Sequence, residues 1–472
     1  MPSEADMDSK TRHRVLLVCN AAMGERMSGP GIRYWEFARA LGACADLDVT
    51  LVTLSGTSSS PTAGDVDFQL CTSRSEADVL RLAAGAQVIV APGAVFSHYP
   101  SLRQTQTPLV LDLYIPLLLE ELQRPRPYSV AEQSLFFDRL RRDLSAQILA
   151  ADLILCASEK QRDYYIGAMS ALGRVNPYVH SVDSTLRRLI TVVPFGLRSE
   201  PPRHTRQVLK GVYPGIGKND KVIFWGGGVW DWLDAPTLIR AMARLTDRRP
   251  DVKLLFMGIK HPNPQEWERE VLGETFSISR QLGLLNHTVF FNDWVVYEER
   301  ANYLMEADIG VSLHRDHLET RFSFRTRFLD YLWAGLPIVA TRGDVLSEEV
   351  EKHGLGRVVE PGDVEGVAEA ILSLLDTPNL REAYRPRFER VAADYRWDAV
   401  TRPLVEFCRA PRIAPDKPYL RGASMFEVGP TPWWRLPGKA WRALQLGGVR
   451  GLARQVGAYR RWLLTRRGSG RA

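Results

Sequence analysis

Apolar runs of four to eight residues recur along the chain, and each gives way to a turn and then to a stretch with helical spacing. In the first half they are RVLLVCN (14–20), DVTLVTL (48–54), AQVIVAPG (86–93), PLVLDLY (108–114), ADLILCAS (151–158) and LITVVPFG (189–196). These runs are continuously apolar, so both faces of each strand must be covered, which is the situation of a parallel sheet wound with helices. Prolines, glycines and basic residues in LRSEPPRHTRQVLKGVYPGIGK (197–218) interrupt the rhythm as a linker does. It restarts with KVIFWGGG (221–228), VKLLFMGI (252–259), TVFFND (288–293), IGVSLHR (309–315), LPIVAT (336–341) and GRVVEP (356–361). A chain of 472 residues exceeds one ordinary core. The pattern therefore predicts an α/β protein of two doubly wound, Rossmann-like domains facing a cleft, with ligands at the carboxyl ends of the strands.

The formal net charge of +6 belongs to the end of the chain. From Arg435 onward there are ten cations and no acid, which leaves the first 434 residues near −4. The body thus gives no reason to expect nucleic acid as a partner. Cys19, Cys44, Cys71, Cys156 and Cys408 form no CxxC or Cys/His spacing. Neither a disulfide framework nor a metal site is expected, and a reduced, cytoplasmic location is. The opening MPSEADMDSKTRHR lacks the apolar centre of a signal peptide, and no run reaches the roughly 18 apolar residues of a spanning helix.

Glycine loops follow the first strand of each half. In NAAMGERMSGPGIRYWEFARAL (20–41), Gly29 and Gly31 precede a helix, and in FWGGGVWDWLDAPTLIRAM (224–242), Gly227 and Gly228 do so. Glycine lets main chain approach a ligand closely, and a helix start offers free N–H groups to an anion. A plain strand-to-helix turn accounts equally well for the first of these loops. Asp234, followed by Ala-Pro, fits a helix cap. Lys260 and His261 follow another strand in FMGIKHPNPQEW (256–267), where they either face a phosphate or sugar or form an exposed rigid loop. In ETRFSFRTRFLDYLWAGLPIVAT (319–341) a helix is expected to begin near Arg325 or Thr326 and to end at Gly335. Arg325 and Arg327 then oppose the helix dipole in its first turn, unless an anion sits between. A phosphate there reconciles the N–H groups, both guanidiniums and the dipole.

The segment DYLWAGLPIVAT (330–341), together with the two-half layout over roughly 13–410, resembles the retaining GT-B glycosyltransferases of family 4 (group 1 glycosyltransferases). The resemblance implies a GT-B architecture: a first domain over 13–200 that receives the acceptor, a linker over 201–218 and a nucleotide-sugar donor domain over 219–394. It also implies a C-terminal helix crossing back to pack on the first domain within 395–425, ahead of a basic amphipathic tail over 426–472. Carried over by position, Asp330 takes the ribose place, and Arg325, Thr326 and Arg327 take the diphosphate loop. The family's first acidic position falls on Phe322, which leaves Glu319 as the nearest carboxylate for the sugar. The family's Arg and Lys after the first strand of the donor domain correspond to positions near Gly228 and Leu233, so Arg325 and Arg327 are expected to compensate. Asp112, ending the strand PLVLDLY, is expected in the cleft near the sugar, with His98 a second choice.

The expected activity is transfer of a sugar, with retention, from a nucleoside-diphosphate donor to a glycan or lipid-linked acceptor in cell-surface polysaccharide biosynthesis. No cofactor and no metal are implied; Asp112, Glu319 and Arg325 are the candidate catalytic residues. The rival readings are a nucleotide-sugar epimerase of the same fold and a catalytically silent binding subunit of a polysaccharide assembly. The tail WWRLPGKAWRALQLGGVRGLARQVGAYRRWLLTRR (433–467) mixes Trp and Leu with cations. That composition suits an interfacial helix on an anionic membrane, placing the protein on the inner face of the plasma membrane.

Overall fold

The computed structural model describes residues 12–420 except 25–26, 56, 59–65, 125, 127 and 261–269; beyond 420 it describes positions 441, 444, 449, 452, 453, 456 and 457. The basic amphipathic tail expected over 426–472 thus lies almost wholly outside the described residues.

The first domain is a seven-stranded parallel sheet of β1 (His13–Cys19), β2 (Leu47–Thr53), β3 (Gln69–Thr72), β4 (Val88–Pro92), β5 (Leu109–Asp112), β6 (Leu153–Cys156) and β7 (Ile190–Val192), in the order β3-β2-β1-β4-β5-β6-β7. Val15 lies between Val49 on one side and Val88 on the other. Along β1 the side chains alternate: Val15, Leu17 and Cys19 enter one core, Leu16 and Val18 the other. The second domain repeats the plan with six strands: β8 (Lys221–Trp225), β9 (Val252–Phe256), β10 (Val289–Phe291), β11 (Ile309–Ser312), β12 (Ile338–Thr341) and β13 (Gly356–Val359), ordered β10-β9-β8-β11-β12-β13. The two doubly wound sheets expected from the sequence are therefore present, and each has its order reversal beside its first strand, where a crevice opens. The exception is β3, which the sequence pattern does not announce because QLCT at the sheet edge is only half-buried.

Helices cover both faces. Helix α1 (Gly29–Gly42) opens on Gly-Pro-Gly, α2 (Leu117–Leu122) follows β5, and α3 (Glu159–Ala171) starts at Ser158, whose hydroxyl accepts the Gln161 N–H at 3.1 Å. In the second domain α4 (Ala235–Thr246) is capped by Asp234, which accepts the Thr237 N–H at 3.1 Å. Then come α5 (Arg300–Glu306) and α6 (Arg327–Ala334). Last, α7 (Trp397–Val400) and α8 (Arg402–Arg409) run back to the first domain. The return is fixed at the linker, where Leu197 and the chain at Tyr395 and Trp397 exchange main-chain bonds of 2.8 and 3.0 Å. A Cβ on Gly196 would lie 2.7 Å from the Trp397 indole, so this close approach needs glycine. Further on, Asp416 forms a buried pair with Arg174 at 2.8 Å, tying the segment after α8 to the first domain. Among the described residues no helix is long and apolar enough to cross a membrane.

Candidate functional site

The turn after β8 and the helix α6 are locked together. The Gly226 N–H donates to Tyr331 Oη at 2.8 Å, and the tyrosine ring lies flat on β11, where a Cβ on Gly310 would come within 2.6 Å of it. Gly227 has φ +89°, a conformation side chains avoid, and turns the Gly228 carbonyl toward Arg327, whose Nη2 donates to it at 3.0 Å. Gly335, at φ 61°, ends α6 and lets the Leu336 N–H return to the Tyr331 carbonyl at 2.9 Å. The helix begins at Arg327 rather than at Arg325 or Thr326, because its first bonds run from Phe328 to Arg325 and from Leu329 to Thr326, one residue tighter than an α-turn.

Arg325 meets Glu319 as a bidentate pair of 3.1 and 2.6 Å, with the carboxylate 1% and the guanidinium 8% exposed. His317 Nδ1 is 3.6 Å from the same carboxylate. Arg327 lies over the Trp225 ring at 4.5 Å and has no carboxylate partner among the described residues. Burial, reinforced by the neighbouring Arg325, lowers its guanidinium to about 10. Among the described residues three buried donor atoms here have no hydrogen-bond partner: Ser312 Oγ at the end of β11, Arg325 Nε and Arg327 Nη1. His314 Nε2 is a fourth such polar atom, on a ring whose pKa burial lowers and which stands 3.7 Å from Asp344. An unsatisfied buried polar atom costs about 1 to 3 kcal/mol. Two guanidiniums sharing a site with these atoms and a helix start are matched by an anion rich in acceptor oxygens.

Asp330 lies one turn beyond Arg327, is 29% exposed, and accepts at Oδ1 from Arg300 Nε at 3.0 Å. Thr326 is exposed and makes no capping bond. Lys260 pairs with Asp293 at 2.6 Å on the surface, and His261 lies outside the described residues. In the first domain Gly29 and Gly31 open α1, and a Cβ on Gly31 would come within 2.8 Å of the Ala22 carbonyl, so this glycine serves a close chain approach.

Asp112, expected in the cleft near the sugar, is buried in an ion pair. Its two oxygens accept from Arg33 Nε and Nη2 at 2.8 Å each, both side chains are fully buried, and Arg33 also donates to the Val193 and Pro194 carbonyls. The sequence reading missed Arg33 because RYWEFARAL reads as an ordinary helix, and a buried arginine on it has no local signature.

The two domains meet beside the Glu319–Arg325 pair. Gln161 at the start of α3 bridges them, its Nε2 donating to Tyr114 O at 3.1 Å and to Phe322 O at 2.9 Å. The Phe322 ring lies 5.2 Å from that of Tyr164. Phe322, which occupies a carboxylate position in the resembling family, is thus a contact with the first domain. Lys160 also reaches across to Glu348.

Residues 219–377 match the family model of glycosyl transferases group 1. The chain is similar to a phosphatidyl-myo-inositol mannosyltransferase of Mycolicibacterium smegmatis, 24% identical over 212 residues, which cover 45% of this chain and 50% of that protein. It is also similar to a D-inositol 3-phosphate glycosyltransferase of Corynebacterium urealyticum, 27% identical over 207 residues, 43% of this chain and 46% of that one. The match spans about half the length of each relative. The fold is that of Anabaena HepE, solved with UDP and glucose, at a TM-score of 0.58 and 15% identity over 84% of this chain and 99% of that one.

Proposed function

We infer, from a second domain of the group 1 glycosyl transferases set in a GT-B frame, that this chain is a glycosyltransferase. The reaction we propose moves a sugar from a nucleoside-diphosphate donor to a glycan or lipid-linked acceptor, with retention, in the building of cell-surface polysaccharide. The observation that carries the reading is the set of unpartnered buried donors at Ser312, Arg325 and Arg327, gathered at the start of α6 and the end of β11. A diphosphate supplies the acceptor oxygens these atoms lack.

In this reading Arg327 and Arg325 hold the diphosphate with the first N–H groups of α6, and Asp330, one turn on, takes the ribose. The positive charge is fixed before the reaction, so it stabilises the leaving diphosphate as the bond to the sugar breaks, without reorganisation. The proposed reaction uses no metal: Arg327, without a carboxylate partner among the described residues, offsets diphosphate charge, and Arg325, already paired with Glu319, adds its Nε donor. Glu319, oriented by Arg325, offers acceptor oxygens to sugar hydroxyls. The acceptor hydroxyl approaches from the first domain on the face the diphosphate leaves, which gives retention, and the departing phosphate oxygen takes its proton. A basic tail on an anionic membrane would bring the protein to lipid-linked acceptors.

Thermal-shift titration with UDP and GDP, compared between the wild type and Arg327→Ala, tests the reading. Stabilisation of the wild type that is lost in the variant supports it, and its absence in both sinks it.

A further inference from the structure

Arg300 is a buried cation of the second domain that no sequence motif marks and that the diphosphate site leaves unused. It opens α5, while Asp330 and Trp333, three residues apart on α6, share one face of that helix. Arg300 lies against this face: its Nε donates to Asp330 Oδ1 at 3.0 Å, and its Cζ is 4.8 Å from the centre of the Trp333 ring. Its Nη1 donates to the Tyr297 carbonyl at 2.8 Å, and its Cζ lies over the Tyr297 ring at 3.7 Å. Two rings and two hydrogen bonds thus hold the guanidinium. Both rings are tied to the chain between the domains. Trp333 Nε1 donates to the Glu200 carbonyl at 2.7 Å. Arg198 lies over the Tyr297 ring at 4.9 Å and donates to Glu36 of the first domain at 3.2 Å and to Glu298 at 2.8 Å. Asp330 itself is partly open at 29% exposure, and its Oδ2 has no hydrogen-bond partner among the described residues.

We propose that Arg300 is a positioning residue for nucleotide recognition, fixing Asp330 through Oδ1 so that Oδ2 accepts a hydrogen bond from a hydroxyl of the donor ribose. A carboxylate on an open helix turn has several rotamers, and a ligand that binds only one of them must overcome the entropy of freezing it. Arg300 removes that cost beforehand, because one edge of its rigid fork is bonded to the carboxylate and another to main chain. A ribose hydroxyl supplies the donor that Oδ2 lacks, and a sugar without hydroxyls does not. Arg300 touches no part of the nucleotide on this account and acts through Asp330.

The inference rests on the transferase reading, in which Asp330 takes the ribose, and the test separates the two. Calorimetry gives dissociation constants of UDP, GDP and their 2′,3′-dideoxy forms for the wild type, Arg300→Leu, Asp330→Ala and the double variant. In the wild type the tighter-binding diphosphate should exceed its dideoxy form by at least about tenfold. Arg300→Leu should cut that gain about three- to tenfold, and Asp330→Ala at least as far. The double variant should match Asp330→Ala, and the dideoxy form should bind all four proteins alike. Should Arg300→Leu fail to fold, Arg300→Lys, which keeps the charge and loses the fork, decides by the same comparisons. A gain that survives unchanged in the folded Arg300 variant, effects of the two substitutions that add, or a dideoxy form weakened as much as its parent overturns the assignment and leaves the transferase reading in place. Equal binding of a diphosphate and its dideoxy form by the wild type overturns it together with the ribose role of Asp330. Failure of the wild type to bind either diphosphate overturns the transferase reading itself, and this one with it.

Discussion

Glu319 and Arg325 face each other as a buried bidentate pair six residues apart, and the same guanidinium keeps its Nε unpartnered. The pair fixes the carboxylate that stands nearest the missing acidic position at Phe322, and it leaves one donor aimed elsewhere. It also makes each residue dependent on the other for its buried charge.

Removing either partner should therefore be costly to the fold. Glu319→Ala is expected to lower unfolding free energy by about 3 to 5 kcal/mol, because it strands a buried guanidinium. Urea denaturation checks this, and a loss below about 1 kcal/mol would mean that Arg325 finds another partner.

Asp112 is expected to behave as part of the frame. Asp112→Ala should cost about 3 to 5 kcal/mol by leaving Arg33 unpaired in the core. The folded fraction should still bind a nucleoside diphosphate as the wild type does, measured by calorimetry at low temperature.

Stability should depend on pH through Glu120 in a defined direction. Its ordinary value is 4.5 and its folded value about 7, so between those limits the folded state keeps a proton that the unfolded chain releases. Stability then falls as pH rises from 4.5 to 7 and levels off above. His314 and His317, whose burial lowers their pKa below 6.5, bind more protons unfolded and give the opposite slope near that value. The difference in urea midpoint between the wild type and Glu120→Gln isolates the carboxyl group: it should grow from pH 5 to pH 7 in favour of the variant.

The tail has its own test. Truncation after Pro430 should abolish co-sedimentation with vesicles containing anionic lipid and leave diphosphate binding intact. Added salt should weaken binding of the full chain.

The two sheets were legible because buried parallel strands must be apolar on both faces, a demand written locally in runs such as KVIFW and VKLLF. The edge strand Gln69–Thr72 faces solvent in part and carries no such mark. At the site, Arg327 and the turn at Gly227 and Gly228 could be marked from position alone, since a helix start after a glycine turn is a local feature. The partners Arg33 and Gln161 could not. Arg33 is 79 residues from Asp112 and Gln161 is 161 from Phe322, so only the fold brings them together. Asp112 read as a cleft group because the strand ending that exposes a carboxylate is identical in sequence to one that buries it against an arginine.

Isothermal titration with UDP and GDP, on the wild type and on Arg327→Ala, tests the central claim most directly. The account predicts that the wild type binds at least one of the two and that the variant binds it at least about tenfold more weakly, as expected for loss of a charge-assisted contact. Binding of equal strength by the folded variant, or no binding of either diphosphate by the wild type, would contradict it.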